Sequence, residues 1–296
     1  MICRRIAASI FAALILAVMT LFGARIAGAT DQPVDLELII SVDVSWSVDS
    51  EEAQLQRSGY VAAFSDPKVV EAITSGFMGR IAVLYHEWAG MGHNKVVLEW
   101  TLIEDMATAK AFAAKLLRQP FDSAYRTSIS DAIDYVVPLF SENGFAGRRR
   151  VIDVSGDGAN NSGRLVNFAR DDAVAQGVTI NGLPILDQGV GRGSRMWVPD
   201  LDLYYKKCVI GGRGAFMVVA NGFDDFANAV RRKLVLEIAG RQPVDNRERE
   251  ASRRLPIEVA MAGAAVGLLA QAAPGRAAPP CDIGEQRWLE RYGEGY

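Results

Sequence analysis

The stretch Leu36-Glu37-Leu38-Ile39-Ile40-Ser41-Val42-Asp43-Val44-Ser45-Trp46-Ser47 decides how the rest of this chain is read. Its apolar first half has the composition of a buried strand. Its second half sets a carboxylate and two hydroxyls at alternate positions, Asp43, Ser45 and Ser47. In extended backbone, alternate side chains point to the same side, so the three oxygens can converge on one point. Hard oxygens with a single formal charge suit a hard cation such as Mg2+, which keeps waters and prefers octahedral geometry. Taken alone, the same residues also describe a strand end running into a Ser/Asp helix cap. The surrounding pattern has to discriminate.

Outward from that stretch, residues 34–240 alternate strand and helix. Leu36–Val44, Arg80–Trp88, Arg150–Val154 and Val178–Leu183 read as buried strands, and Ala215–Val219 as a last one. Lys95–Thr101 alternates apolar and polar residues, which predicts a half-exposed strand at an edge or in an antiparallel pairing. Helices are predicted over Asp49–Phe64 (with Asp66-Pro67 as its stop), Ile103–Leu117, Thr127–Phe140, about 164–176 and Phe223–Ile238, and a short one over Leu201–Lys207. Residues 187–198 are Gly-rich and irregular. The pattern predicts an α/β fold: a doubly wound, mostly parallel central sheet with one antiparallel edge strand and helices on both faces. Ligands in such sheets sit at the carboxyl ends of the strands, where the strand order reverses. Asp43–Ser47 and Ser155–Asp157 both fall at such ends. Thr127 opens the helix that leads into the strand ending at Asp157, so the three segments can meet on one rim.

The ends of the chain read differently. Arg4-Arg5, the apolar run Ile6–Phe22 and Ala27-Gly28-Ala29 have the pattern of a secretory signal, with cleavage expected after Ala29; a retained membrane anchor is the alternative. The protein is therefore expected outside the cytoplasm, periplasmic or extracellular. The formal charge of the 296 residues is −3, and without residues 1–29 it is −6 (29 basic against 35 acidic). Neither value suggests a nucleic-acid partner. Cys3 leaves with the signal; Cys208 and Cys281 either bridge or remain free thiols, and no zinc-like cysteine cluster is present. Residues 241–296 form a charged linker, an Ala/Gly-rich apolar segment at 257–273 and a tail. Membrane-inserted, docked and disordered states of that region are all compatible with its composition, with Glu258 and the small residues arguing mildly against a stable span. Membrane contact follows only if the signal or residues 257–273 are retained as an anchor.

These residues together carry a family resemblance. Asp43, Ser45 and Ser47 after the first strand, Thr127 in Arg126-Thr127-Ser128-Ile129, and Asp157-Gly158 after a later strand resemble a von Willebrand factor A domain. The wording is more closely similar to a bacterial, uncharacterised family of exported A-type proteins. It is carried by Val48-Asp49, Glu87-Trp88-Ala89-Gly90, Val151–Gly158 with Asn160-Asn161, Ile180-Asn181-Gly182-Leu183 and Gly214-Ala215-Phe216. The resemblance spans about residues 34–240 and implies a metal-ion-dependent adhesion site. Ser45 and Ser47 would bind the metal through their hydroxyls, Thr127 directly or through water, and Asp43 and Asp157 directly or through coordinated waters. The implied ion is Mg2+, with Mn2+ or Ca2+ as alternatives. Too few charged ligands are supplied to complete the shell, so a position stays open for a partner protein's Asp or Glu. Trp46 stands beside these ligands, either packed or facing a partner.

Other motifs are weaker. Asp153, Ser155, Asp157, Gly158 and Asn161 match part of a calcium-binding loop, but position 12 is Arg164 and a strand precedes it. Asp153 is then expected to be a buried brace for the rim. His86-Glu87 lacks the second histidine of a zinc-protease helix, and there is no nucleophile elbow or P-loop. Gly189–Gly193 lacks the setting of a dinucleotide loop, and Arg148-Arg149-Arg150 reads as a solvated strand start or a partner patch. The expected function is thus an exported, non-enzymatic, metal-dependent protein-binding module. A metal-dependent hydrolase using the same oxygens is the alternative, and a purely structural domain is a third reading.

Overall fold

A computed structural model of the chain describes residues 31–48, 50–186, 197–240 and 276–293. The signal-like residues, most of the Gly-rich stretch and the apolar segment 257–273 lie outside the described residues. The chain divides into two units, Met1–Gln32 and Pro33–Tyr296. Only Asp31 and Gln32 of the first are described, and the second is the subject below.

The opening stretch forms β2 (Leu36–Asp43), buried along its whole length because both faces are covered. Leu36, Leu38, Ile40 and Val42 pack on one face with Tyr60, Phe64, Phe112 and Phe226. Ile39 packs on the other with Ile133, Ile152 and Val166. Each such side chain contributes about 1.5–3 kcal/mol of burial. Two faces of apolar partners explain why the strand reads as a continuous apolar run rather than an alternation.

β2 is the middle of a five-stranded sheet of order β4-β3-β2-β6-β7, made with β3 (Ile81–Trp88), β4 (Asn94–Ile103), β6 (Arg150–Gly156) and β7 (Val178–Pro184). It pairs in parallel with β3 and β6, and β6 pairs in parallel with β7. β4 runs antiparallel to β3 at the edge, as its alternating residues predict. β1 (Gln32–Val34) and β5 (Phe145–Gly147) form a separate two-stranded sheet. On one face lie α1 (Ser50–Phe64), α2 (Pro67–Thr74), α3 (Met106–Leu117) and α7 (Phe226–Ile238); on the other lie α4 (Ile129–Val136), α5 (Val166–Ala175) and the short α6 (Leu201–Tyr204). The doubly wound architecture expected from the pattern is the one observed. The chain goes from β2 out to β3 and β4, then returns across β2 to β6, so the strand order reverses between β2 and β6.

Some expected elements differ, for local reasons. Ala215–Val219 is not a strand: Gly212 and Gly214 bend the chain with φ of 94° and 73°, and the segment meets β7 through an isolated bridge, Gly182–Met217, with a second, Ile185–Ala220, just beyond both. Asp66-Pro67 stops one helix and starts the next, since the Asp66 carboxylate caps Lys68 N–H at 2.8 Å and Pro67 occupies the first turn of α2. β4 continues through Ile103, and α3 begins only at Met106 because Asp105 and Thr108 form a reciprocal cap. Thr127 lies just outside α4, whose cap is Ser128. The expected 127–140 helix ends at Val136 and tightens into a 3-10 turn over Val137–Phe140, where Pro138 sits.

Asp153 faces α7, where Lys233 Nζ lies 2.6 Å from its Oδ1 and 3.4 Å from Glu237 Oε2. Asn181 donates to the same Glu237 oxygen at 2.6 Å and accepts from Phe216 N–H at 2.7 Å. All three charges are fully buried, so α7 is fixed to β6 and β7 by a buried network of ion pairs and hydrogen bonds. This occupies Asp153 within the strand and removes it from any calcium loop. Burial pushes its carboxyl up to about 6, against the opposing pull of Lys233.

Residues 276–293 run into α8 (Ile283–Tyr292), and a Cys208–Cys281 disulfide ties the start of this segment to the domain. Arg276 reinforces the tie through Asp200 (2.6 Å from Nε) and Asp202 (2.8 Å). Among the described residues no helix is long and apolar enough to cross a membrane.

Candidate metal centre

The site forms at the carboxyl ends of β2 and β6, on either side of the reversal in strand order. After Asp43 the chain leaves the sheet: Val44 N–H donates to Trp88 O, and Val48 N–H closes a turn onto Ser45 O, each at 2.8 Å. A bridge from Ser45 to Ala124, with Trp46 N–H on Ala124 O at 3.0 Å, fixes the turn from outside. The geometry puts Asp43 at the bottom of the site and Ser45 and Ser47 above it.

The expected ligands come together. Ser45 and Ser47 hydroxyls are 2.9 Å apart, Ser47 Oγ donates to Asp157 Oδ1 at 2.8 Å, and Thr127 Oγ1 lies 3.4 Å from Ser45 Oγ. Asp43 is fully buried and its Oδ1 accepts from Ser45 N–H at 2.8 Å. Asp43 Oδ2, in contrast, is buried with no hydrogen-bond partner. Burial, and secondly the Asp157 charge, hold the Asp43 carboxyl well above the usual carboxylate range. A buried, half-satisfied carboxylate facing another is costly unless a cation joins them.

Thr127 reaches the cluster because its segment is held from both sides. Arg126 adopts a left-handed φ of 72°, Thr127 N–H donates to Asn161 Oδ1 at 2.9 Å, and Asn161 N–H returns to Thr127 O at 2.8 Å. Asn160 Oδ1 accepts from Ser130 N–H at 2.9 Å. The pair Asn160-Asn161 therefore locks the segment after β6 to the start of α4. Gly90 is required opposite: a Cβ there would lie 2.4 Å from Tyr125 O.

Two contributors escape sequence reading. A Cβ on Gly156 would sit 2.9 Å from Asp43 Oδ2 and 3.0 Å from Tyr205 Oη, so only glycine lets β6 pass this close. Tyr205, on the turn after α6, buries its hydroxyl beneath the site without a hydrogen-bond partner. Nothing in the spacing around Tyr205 marks it. Gly156 had a weak signal in the Ser155-Gly156-Asp157-Gly158 run.

The donor set is two carboxylates and three hydroxyls, all hard oxygens, and among the described residues no group of three or more His, Cys, Asp or Glu is assembled. Such a set fits a hard divalent cation, and the unpartnered Asp43 oxygen is an acceptor still lacking a donor or cation. His86 is not part of it. It is buried on β3, with Nδ1 3.0 Å from Ser41 Oγ and its ring stacked on Tyr135, and burial pushes its pKa down to about 3.

Residues 33–242 match the model of a family described as "Protein of unknown function (DUF1194)". The chain belongs to that family. No curated protein matches it. Among solved structures, this DUF1194 member is similar to proximal thread matrix protein 1 from the mussel byssus, with 15% identity over 71% of this chain and 49% of that one and a TM-score of 0.51. It spans about half the length of that protein. A further structure of the mussel protein, at 12% identity, 69% and 46% coverage and TM-score 0.47, is described as having a zinc-occupied MIDAS motif. A von Willebrand factor type A protein from Catenulispora acidiphila gives 14% identity, 70% and 43% coverage and a TM-score of 0.45. At these identities the likeness is one of fold alone.

Proposed function

We propose that this domain is an exported, metal-dependent protein-binding module. It captures an acidic group of a partner protein through a divalent cation held by Asp43, Ser45, Ser47, Thr127 and Asp157. The observation that carries this reading is the buried Asp43 Oδ2, which has no partner and stands beside a second carboxylate, Asp157. When bound, the cation supplies charge neutralisation and an open position for a partner's Asp or Glu. The chain's own residues do the rest: Asp43 and Asp157 hold negative charge in place, Ser45, Ser47 and Thr127 offer neutral oxygens, and Trp46, 67% exposed, stands beside them as a contact for the partner. Mg2+ is the ion proposed first, with Mn2+ or Ca2+ as alternatives.

Export is supported by the signal-like residues 1–29 and by the Cys208–Cys281 disulfide, since such bonds persist in oxidising compartments. The hydrolase reading gains no support from the site, because His86 is sequestered behind Ser41 and supplies no base to the oxygens. Calorimetric titration of Mg2+ and Mn2+ into the chain tests the proposal, alongside Asp43→Ala and Ser45→Ala. Binding is expected for the wild type and is expected to disappear in both variants. Identical traces for all three would end the adhesion-site reading.

A further inference from the structure

Two of the segments that carry the oxygens are both touched by one distant element, helix α8. On the first segment, the Arg126 guanidinium lies 3.8 Å over the Trp288 ring, the Tyr125 ring packs edge-on to Trp288 at 5.6 Å, and the Tyr125 and Tyr292 hydroxyls are 2.7 Å apart. On the second, Asn160 Nδ2 donates to Glu285 Oε1 at 2.7 Å, and Gly284 lies so close that a Cβ would fall 1.9 Å from Asn160 O. Tyr125 also meets Trp46, between Ser45 and Ser47, edge-on at 5.1 Å. Thr127 follows Arg126 directly, and Asp157 precedes Asn160 by three residues. Trp288 is buried by these contacts, although α8 lies outside the region that the family match covers.

We propose that α8 is a clasp that positions the metal ligands, with Trp288 and Glu285 as positioning residues and the Cys208–Cys281 disulfide as its latch. The proposal rests on the metal-binding reading above. By gripping Arg126 and Asn160 at once, α8 fixes the distance between the Thr127 and Asp157 segments, and pre-ordering ligands in this way raises cation affinity. The tie is conditional. The segment reaches its dock after residues 241–275, so the disulfide and Arg276 keep α8 at high effective concentration over the rim. Without the disulfide only Arg276 and the same contacts hold the helix, and the clasp opens more often.

The test uses the full chain. Mn2+ and Mg2+ affinities are measured by calorimetry for the wild type, oxidised and reduced, and for Gly284→Ala, Trp288→Ala, Trp288→Phe and the double variant Cys208→Ser/Cys281→Ser. Hydrogen exchange over residues 283–292 reports docking in each case, and the thermal melt reports the domain. Gly284→Ala and Trp288→Ala are expected to lose protection of α8 and to bind the cation about tenfold more weakly, the scale seen when groups supporting metal ligands are removed. The reduced and double-serine forms are expected to fall in the same direction, and Trp288→Phe to retain affinity. The domain's own melting transition is expected to survive in all of them. If α8 loses protection while affinity stays within twofold of wild type, the clasp is overturned and the metal site stands. If none of these changes releases α8, the latch and the named contacts are overturned. If wild type with a fully protected α8 binds neither cation, the metal-binding reading fails, and the clasp fails with it.

Discussion

Asp43 is the residue on which the site turns, because the folded chain leaves one of its oxygens buried without a partner beside Asp157. Its substitution should therefore have opposite effects with and without cation. In chelator, Asp43→Asn removes a buried charge and is expected to raise stability by about 1–2 kcal/mol. With excess Mg2+ the wild type should overtake it, since a cation that binds only the folded state stabilises in proportion to the logarithm of its excess over Kd. Thermal melts of both proteins in EDTA and in Mg2+ check the reversal. A second pair of residues sets opposing pH slopes. His86 is held neutral in the fold, so its contribution is complete above its ordinary value of 6.5 and is lost as pH falls toward 3. Asp153 is raised from 3.8 to about 6, so its contribution is complete below 3.8 and is lost as pH rises through 6. Relative to wild type, His86→Gln should gain stability as pH falls below 6.5, and Asp153→Asn should gain as pH rises from 4 to 6. Urea denaturation across pH 4–7 measures both, each slope reaching at most about 1.4 kcal/mol per pH unit.

At the scale of elements, close approach between segments decides what can be replaced. Gly156→Ala would press a methyl group onto Asp43 Oδ2 and Tyr205 Oη. It is expected to cost about 1–3 kcal/mol as an overpacking change and to weaken cation binding, both readable in one melt with and without Mg2+. Lys233→Met would leave Asp153 and Glu237 as two buried carboxylates without their cation, expected to cost about 3–5 kcal/mol in chemical denaturation. The strands and most helices were legible in the sequence because their signals are local: β2 and β6 are apolar runs buried on both faces, and β4 alternates because it lies at an edge. Asp43, Ser45 and Ser47 could be grouped from their spacing alone. Joining them to Thr127 and Asp157 rested on the alternation of elements, which let the three segments meet on one rim, and on the family resemblance; the strand order itself was not legible. The errors fall where a single cap or bend outweighs periodicity, as at Asp105, Ser128 and the Gly212–Gly214 turn.

At the scale of the whole molecule, the sequence was least informative about α8. A Pro/Ala-rich approach and ten residues of modest amphipathicity carry no local mark of docking, and two cysteines can be named without knowing that they pair. The same holds for Tyr205, whose place beneath Asp43 is set by packing between α6 and β7 rather than by its neighbours in sequence. Long-range contact made these residues part of the site. The direction of β2 has one more consequence. The Asp35 and Glu37 N–H groups donate to the Arg80 and Arg149 carbonyls at one end of the sheet, the Arg149 guanidinium caps the last carbonyls of α7 at that same end, and the oxygens of the site lie at the other. The eight residues of β2 set these two poles roughly 26 Å apart. A tether applied just after α7 therefore holds the domain at the pole opposite the oxygen cluster.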